Sequence, residues 1–286
     1  RRIEAYFERL HAGRPMTENN YQQAMLPEGC TVLDNDWGTA PGVAFEADGV
    51  RVIMLPGPPR ECRAMFTHRV IPYLKSLADG VIVSRTLKLF GIGESSMEEQ
   101  LRYLVDNGYE PIWFSDLAEL EQYEKPVILT FDDGYDDNYT ELLPLLRKYN
   151  VKATVFMIAD AMGMQHKMTE EQVREMADSG LVSVQSHGLT HADMDAMDEE
   201  TLIRELGESQ RILTRVTGRQ PSVLCYPTGR YSDLTLEVAE RYYNFGLKMV
   251  GGQYNTADDP FLVSRYYVSR YTGLDSFAAM VAPAGT

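Results

Sequence analysis

At 286 residues the chain can hold one large domain or two ordinary ones, and 44% hydrophobic with 24% charged residues is the composition of a folded globular protein. A formal net charge of −15 argues against a nucleic-acid or anionic-membrane surface, because phosphate recognition needs clustered Lys and Arg; it suits a neutral or cationic partner. Three cysteines, Cys30, Cys62 and Cys225, are too few and too scattered for a disulfide framework or a thiolate metal cluster. The opening Arg1-Arg2-Ile3-Glu4-Ala5-Tyr6 has no signal-peptide-like apolar stretch, and no run of about twenty apolar residues follows, so the chain is expected to be soluble without a membrane span. Compartment and oligomeric state stay open.

Ile3, Tyr6, Phe7 and Leu10 recur at helical spacing before Gly13 and Pro15 break the pattern, and a second short helix is predicted from Thr17 to Leu26. Short strands follow at Thr31–Leu33, Val43–Phe45 and Val52–Leu55. Next come a helix carrying Met65, Phe66, Val70 and Leu74, and a strand-like run from Val81 to Phe90. Met97, Leu101, Leu104 and Val105 form one helical face without a linker, and the domain boundary is placed there, dividing 1–100 from 101–286. Beyond Gly108, strand and helix signals alternate, the pattern of a parallel sheet with helical crossovers. Strands are predicted at 111–114, 127–131, 153–158, 223–226, 247–250 and 263–268. Helices are predicted at 116–123, 142–149, 169–180 with a capping box at Thr169 and Gln172, 198–218, 234–243 and 274–281.

The chemistry gathers in three places. Thr130-Phe131-Asp132-Asp133-Gly134 follows the apolar run Val127-Ile128-Leu129, so two adjacent carboxylates sit where a buried strand ends, and Gly134 permits a sharp departure there. Ser186-His187-Gly188-Leu189-Thr190-His191 follows Leu181–Val184 and puts two imidazoles four residues apart. A carboxylate plus two histidines leaving a position open for water suits catalytic zinc. An acidic turn and two surface histidines would spell the same letters, but both pieces occur in the structural context that the metal reading needs. The third place is Cys225-Tyr226-Pro227-Thr228-Gly229, again after an apolar run.

In order and spacing these three motifs resemble the NodB-homology polysaccharide deacetylases over about residues 98–281, with a Tyr-Pro-x-Gly version like that of the poly-N-acetylglucosamine subgroup. The resemblance implies a distorted (β/α) barrel and metal-dependent removal of acetyl groups from an N-acetylated glycan. It assigns Asp133, His187 and His191 as ligands of a divalent metal, zinc first with cobalt, nickel or iron as alternatives. It makes Asp132 the general base and the Thr228 backbone N–H the oxyanion donor, held by Pro227 and Gly229, which are themselves candidates for substrate binding. Tyr226 and Tyr231 become candidates to stack on a sugar ring, a place that packing explains equally. Asp136 and Asp137 read as solvated carboxylates.

Two departures bear on activity. Cys225 stands where many members carry an arginine that orients the catalytic Asp, and the C-terminal region offers no matching histidine as the acid. In the subgroup that histidine lies on a strand before the Asp-Asp motif, where a different stretch stands here. Of His11, His68 and His166, only His166 falls near the motifs in sequence. Metal binding with slow turnover is therefore expected; the alternatives are a glycan-binding homologue without catalysis, or a nucleotide- or pterin-binding protein.

That last alternative comes from the first third. Gly13–Asn20, Gly38–Gly42, Leu55–Glu61 and Leu89–Ser95 together resemble the N-terminal domain of CinA, a competence/damage-inducible protein with a molybdopterin-binding-type α/β fold, over about residues 1–101. The resemblance starts mid-domain, without the glycine-rich segment and acidic pair that precede it in the family. Gly42, Gly57 and Pro58 are then candidates for a remnant anion pocket or, more simply, for turn and strand-end packing.

Overall fold

The computed structural model describes residues 26–27, 29–38, 40–47, 50–77, 83–90, 94–249, 251–255 and 258–282. Of the two predicted N-terminal helices only Leu26 falls among them. The chain divides into two compact units, Arg1–Val81 and Ile82–Thr286.

In the first unit, strands β1 (Thr31–Leu33), β2 (Gly42–Ala47) and β3 (Val50–Met54) form an antiparallel sheet in that order. Helix α1 (Pro59–Met65) opens on a proline, whose missing N–H costs nothing in a first turn, and passes through a π-helical turn, Phe66–Val70, into α2 (Ile71–Leu77). Leu33, Ala44, Met65 and Val70 are its buried core. A Cβ on Gly42 would meet Leu55 Cδ2 at 2.9 Å and Met65 Cε at 3.0 Å, so this glycine serves strand-to-helix packing.

The second unit opens with β4 (Val83–Phe90), α3 (Glu94–Asp106), β5 (Glu110–Pro111) and a 3-10 stretch from Phe114 to Gln122. The alternation then becomes regular: β6 (Pro126–Phe131), α4 (Leu143–Tyr149), β7 (Ala153–Met157), α5 (Glu170–Asp178), β8 (Val182–Ser186), α6 (Glu199–Thr217), β9 (Val223–Cys225), α7 (Asp233–Ala239) and β10 (Phe245–Leu247). Strands β11 (Tyr254–Asn255) and β12 (Tyr266–Ser269) and helix α8 (Leu274–Val281) complete it. The sheet runs β10-β9-β8-β7-β6-β4-β11, with β12 also on β4 and β5 also on β6. Every pairing is parallel except β11 with β4, and the sheet curls into a half-barrel. Residues 82–100, part of the CinA-like stretch, lie in this unit, and β4 pairs directly with β6.

Burial on both faces explains the continuous apolar run of β6. Val127 and Leu129 pack outwards with Leu101, Leu104, Leu146 and Met176. Ile128 packs on the other face with Phe156, Val223, Cys225 and Val263. Period-two alternation gives Thr130 and Asp132 the parity of Ile128 and so carries Asp132 towards the concave face. The capping box at Thr169 and Gln172 opens α5, and α6 starts at N-cap Asp198 and ends on left-handed Gly218. The strand predicted at 111–114 shrinks to β5, because Trp113 and Asp116 cap the 3-10 stretch that begins at Phe114. Among the described residues no helix is long and apolar enough to cross a membrane.

Candidate functional site

All three motifs lie at the C-terminal ends of parallel strands of one sheet, β6, β8 and β9, with β7 between β6 and β8. At the end of β6 the chain turns through two consecutive left-handed residues, Asp133 (φ 71°) and Gly134 (φ 66°). This breaks the alternation, so Asp133 need not face away from Asp132. Gly134 is suited to its place by its left-handed φ, and a Cβ there would displace the thioether end of Met157, whose Sδ would lie 2.1 Å away. After β8 the His187 amide still donates to the Met157 carbonyl (2.8 Å), and the loop is then gathered by Glu205 of α6. That carboxylate is 4% exposed and accepts from the Leu189 amide (3.1 Å), the Thr190 amide (3.0 Å) and the Thr190 hydroxyl (2.9 Å).

Asp133 Oδ1 lies 3.3 Å from His187 Nε2 and 3.4 Å from His191 Nε2, and the three donor atoms fall within 4.8 Å of one another. His187 Nδ1 donates to the Cys225 carbonyl at 2.7 Å, which fixes the ring and turns Nε2 towards Asp133. Burial disfavours the charged form of His187, but Cys225 and the two carboxylates outweigh it and push its pKa up to about 10. His191 is lowered by burial and by the neighbouring His187. Burial raises Asp133, yet the hydrogen bond and charge of His187 leave it below the ordinary carboxylate value. One anion and two imidazoles, that of His187 with its second ring nitrogen tied back to a carbonyl, form a donor set that fits a divalent cation. Asp132, His187 and Cys225 also converge, but Asp132 and Cys225 already hold a guanidinium that would repel a second cation.

That guanidinium belongs to Arg265, which is 1% exposed. Nη1 donates to Asp132 Oδ1 (2.8 Å) and Thr130 Oγ1 (3.2 Å), and Nη2 donates to Asp132 Oδ2 (3.0 Å) and Cys225 Sγ (3.1 Å). Cys225 therefore leaves no gap: the small thiol makes room for an arginine that lies 40 residues after it and 133 residues after Asp132. Sequence reasoning missed Arg265, although a lone basic residue inside Phe261-Leu262-Val263-Ser264-Arg265-Tyr266-Tyr267-Val268 was a signal of a buried partner.

The third motif turn carries Thr228 exposed at φ 55° and Gly229 at φ 75°, above a buried Pro227. Tyr226 corrects an expectation. It is fully buried and its hydroxyl donates to the Phe261 carbonyl at 3.0 Å, so its ring has no face free for a sugar. Tyr231 is half-buried and packs on Tyr226 with centroids 4.9 Å apart. His166 is exposed on the loop whose Lys167 Nζ donates to the Asp133 carbonyl (3.0 Å). His68 stacks on Trp37 in the first unit, and His11 lies outside the described residues.

The sequence pattern of the polysaccharide deacetylase family matches residues 120–247. A Bacillus subtilis protein named as a polysaccharide deacetylase is 33% identical over 196 residues, covering 66% of this chain and 70% of that protein. The crystal structure of a protein from Bacillus anthracis named as a polysaccharide deacetylase superposes with a TM-score of 0.67 at 26% identity, covering 70% of this chain and 69% of that one. The N-terminal part matches a competence-damage inducible protein of Clostridium acetobutylicum, 49% identical over 109 residues, which is 38% of this chain but only 26% of that protein's length. The half-barrel, the order of its motifs and these likenesses lead to one conclusion: the chain belongs to the polysaccharide deacetylase family, and its N-terminal segment is similar to part of the competence-damage inducible proteins.

Proposed function

We propose that this chain is a metal-dependent hydrolase that removes N-acetyl groups from an N-acetylglucosamine-containing polysaccharide. The observation carrying the proposal is the convergence of Asp133, His187 and His191 beside an Asp132 held at both oxygens by Arg265. The three converging residues would hold the cation, most fittingly zinc, with cobalt, nickel or iron acceptable to the same donors. When bound, such an ion supplies Lewis acidity that brings the pKa of water towards neutrality and polarises a carbonyl.

The other residues perform the proton and charge work. Asp132 takes the proton of the attacking water, and the two hydrogen bonds from Arg265 hold it ionised and aimed. The Thr228 amide donates to the acetyl oxygen as negative charge develops there. Cleavage of the C–N bond releases acetate and needs one proton on the amine, and Asp132 carries the one removed from water. The strand beside β6, Val83-Ser84-Arg85-Thr86-Leu87-Lys88-Leu89-Phe90, contains no histidine to act as a separate acid, so turnover is expected to be slow.

Acetate release from an N-acetylglucosamine oligomer, with and without zinc, tests the reading. Asp132→Asn should abolish release while zinc still binds. Release that persists in a chelator, or in the Asp132→Asn variant, would refute it. If zinc-loaded wild type retains the oligomer and releases no acetate, the chain is a glycan-binding homologue instead.

A further inference from the structure

A residue outside all three motifs ties the Thr228 turn to the histidine loop. Thr228 sits at φ 55°, ψ 1°, a left-handed conformation that a β-branched residue rarely adopts. The turn's own hydrogen bonds run around it: the Gly229 amide donates to the Tyr226 carbonyl (3.0 Å) and the Arg230 amide to the Pro227 carbonyl (3.2 Å). The Thr228 side chain is held from elsewhere. Its hydroxyl donates to Asp193 Oδ1, while Arg230 Nη1 pairs with Asp193 Oδ2 at 3.2 Å. One carboxylate thus grips the residues on both sides of Gly229. Asp193 lies two positions after His191, itself left-handed at φ 66°.

We propose that Asp193 is a positioning residue that fixes the Thr228 amide relative to His191. The inference rests on the reading above, that this amide receives the developing oxyanion. The Asp193 side chain is 42% exposed and that of Arg230 is 63%, so their ion pair contributes little to stability. The role of Asp193 lies in selecting one conformation of an otherwise disfavoured residue. A threonine released from Asp193 relaxes towards the ordinary right-handed or extended regions, and the direction of its N–H swings with the peptide plane.

The test separates this role from generic loss of structure. Asp193→Ala is expected to lower kcat by about ten- to a hundredfold, the scale on which misplaced groups act, with KM and zinc affinity within about threefold of wild type. Asp193→Asn keeps an acceptor for the threonine hydroxyl and should retain most of the rate. Asp193→Ala/Thr228→Gly should be faster than Asp193→Ala alone, because glycine adopts the left-handed conformation unaided and still presents the amide. An Asp193→Ala rate within threefold of wild type, or a double variant no faster than Asp193→Ala, would overturn the proposal. A crystal structure of Asp193→Ala decides it independently of turnover: Thr228 should leave the left-handed region, and finding it still near φ 55° would overturn the inference. If wild type releases no acetate, the functional reading fails and this structural comparison alone decides the role of Asp193.

Discussion

Replacing Arg265 by methionine strands the Asp132 carboxylate, whose side chain is 0% exposed, without its bidentate partner. At an effective dielectric of about 20, opposite unit charges about 4 Å apart attract by about 4 kcal/mol. Removing one partner of a buried pair costs about 3–5 kcal/mol for the same reason. That loss is a large share of the roughly 5–15 kcal/mol that keeps a domain folded. Asp132→Asn added to Arg265→Met removes the stranded charge, so the double variant should be more stable than Arg265→Met alone, although it carries one more substitution. Urea titration followed by tryptophan fluorescence measures this. The chain's two tryptophans are Trp37 and Trp113, one in each unit, and Trp113 Nε1 donates to the Ala153 carbonyl at 3.0 Å. A Trp37→Phe background therefore confines the signal to the half-barrel. If the two substitutions add to within about 0.5 kcal/mol, the pair is not coupled and the reasoning about Arg265 is wrong.

Three further outcomes are expected. Gly134→Ala puts a side chain at a left-handed φ of 66°, and should cost the half-barrel about 1–2 kcal/mol in the same titration; a change below about 0.5 kcal/mol contradicts the geometry. Glu205→Gln removes one of the two oxygens that gather the histidine loop, so zinc affinity measured calorimetrically should fall by about 10- to 100-fold, and a Kd within twofold of wild type would assign Glu205 to packing alone. Free zinc at a hundred times its Kd should stabilise the wild type by about 2.7 kcal/mol, while His187→Ala/His191→Ala should gain nothing from the same addition.

The parts of this molecule set by local chemistry were legible in the letters. Strands β6, β7 and β8 announce themselves by apolar runs between turn residues, and α5 and α6 by the caps at Thr169, Asp198 and Gly218. The convergence of Asp133, His187 and His191 was readable because each motif sits at the end of its own strand and the parallel sheet brings those ends to one edge, β6 and β8 lying on either side of β7. Arg265 was not readable as the partner of Asp132, because nothing local in a run ending Val263-Ser264-Arg265 says which buried anion it meets 133 positions earlier. Tyr226 was misjudged for a related reason, since only the fold supplies the Phe261 carbonyl that satisfies its hydroxyl away from solvent. The strand predicted at 263–268 appears as Tyr266–Ser269 because residues before it serve the Arg265 pair and a single bridge from Val263 to Leu247.

The position of β4 has a practical corollary for anyone wishing to isolate the hydrolase body. Cutting between residues 100 and 101, where the two sequence likenesses hand over, discards Val83–Phe90 and with it the neighbour of β6, β11 and β12 at once. The fragment would expose a raw backbone edge along Pro126–Phe131, the strand leading directly into Asp132 and Asp133, and would be inclined to pair with other molecules through it. A fragment begun at Ile82 keeps that strand, so the serviceable excision point lies well inside the stretch that looks like the other protein.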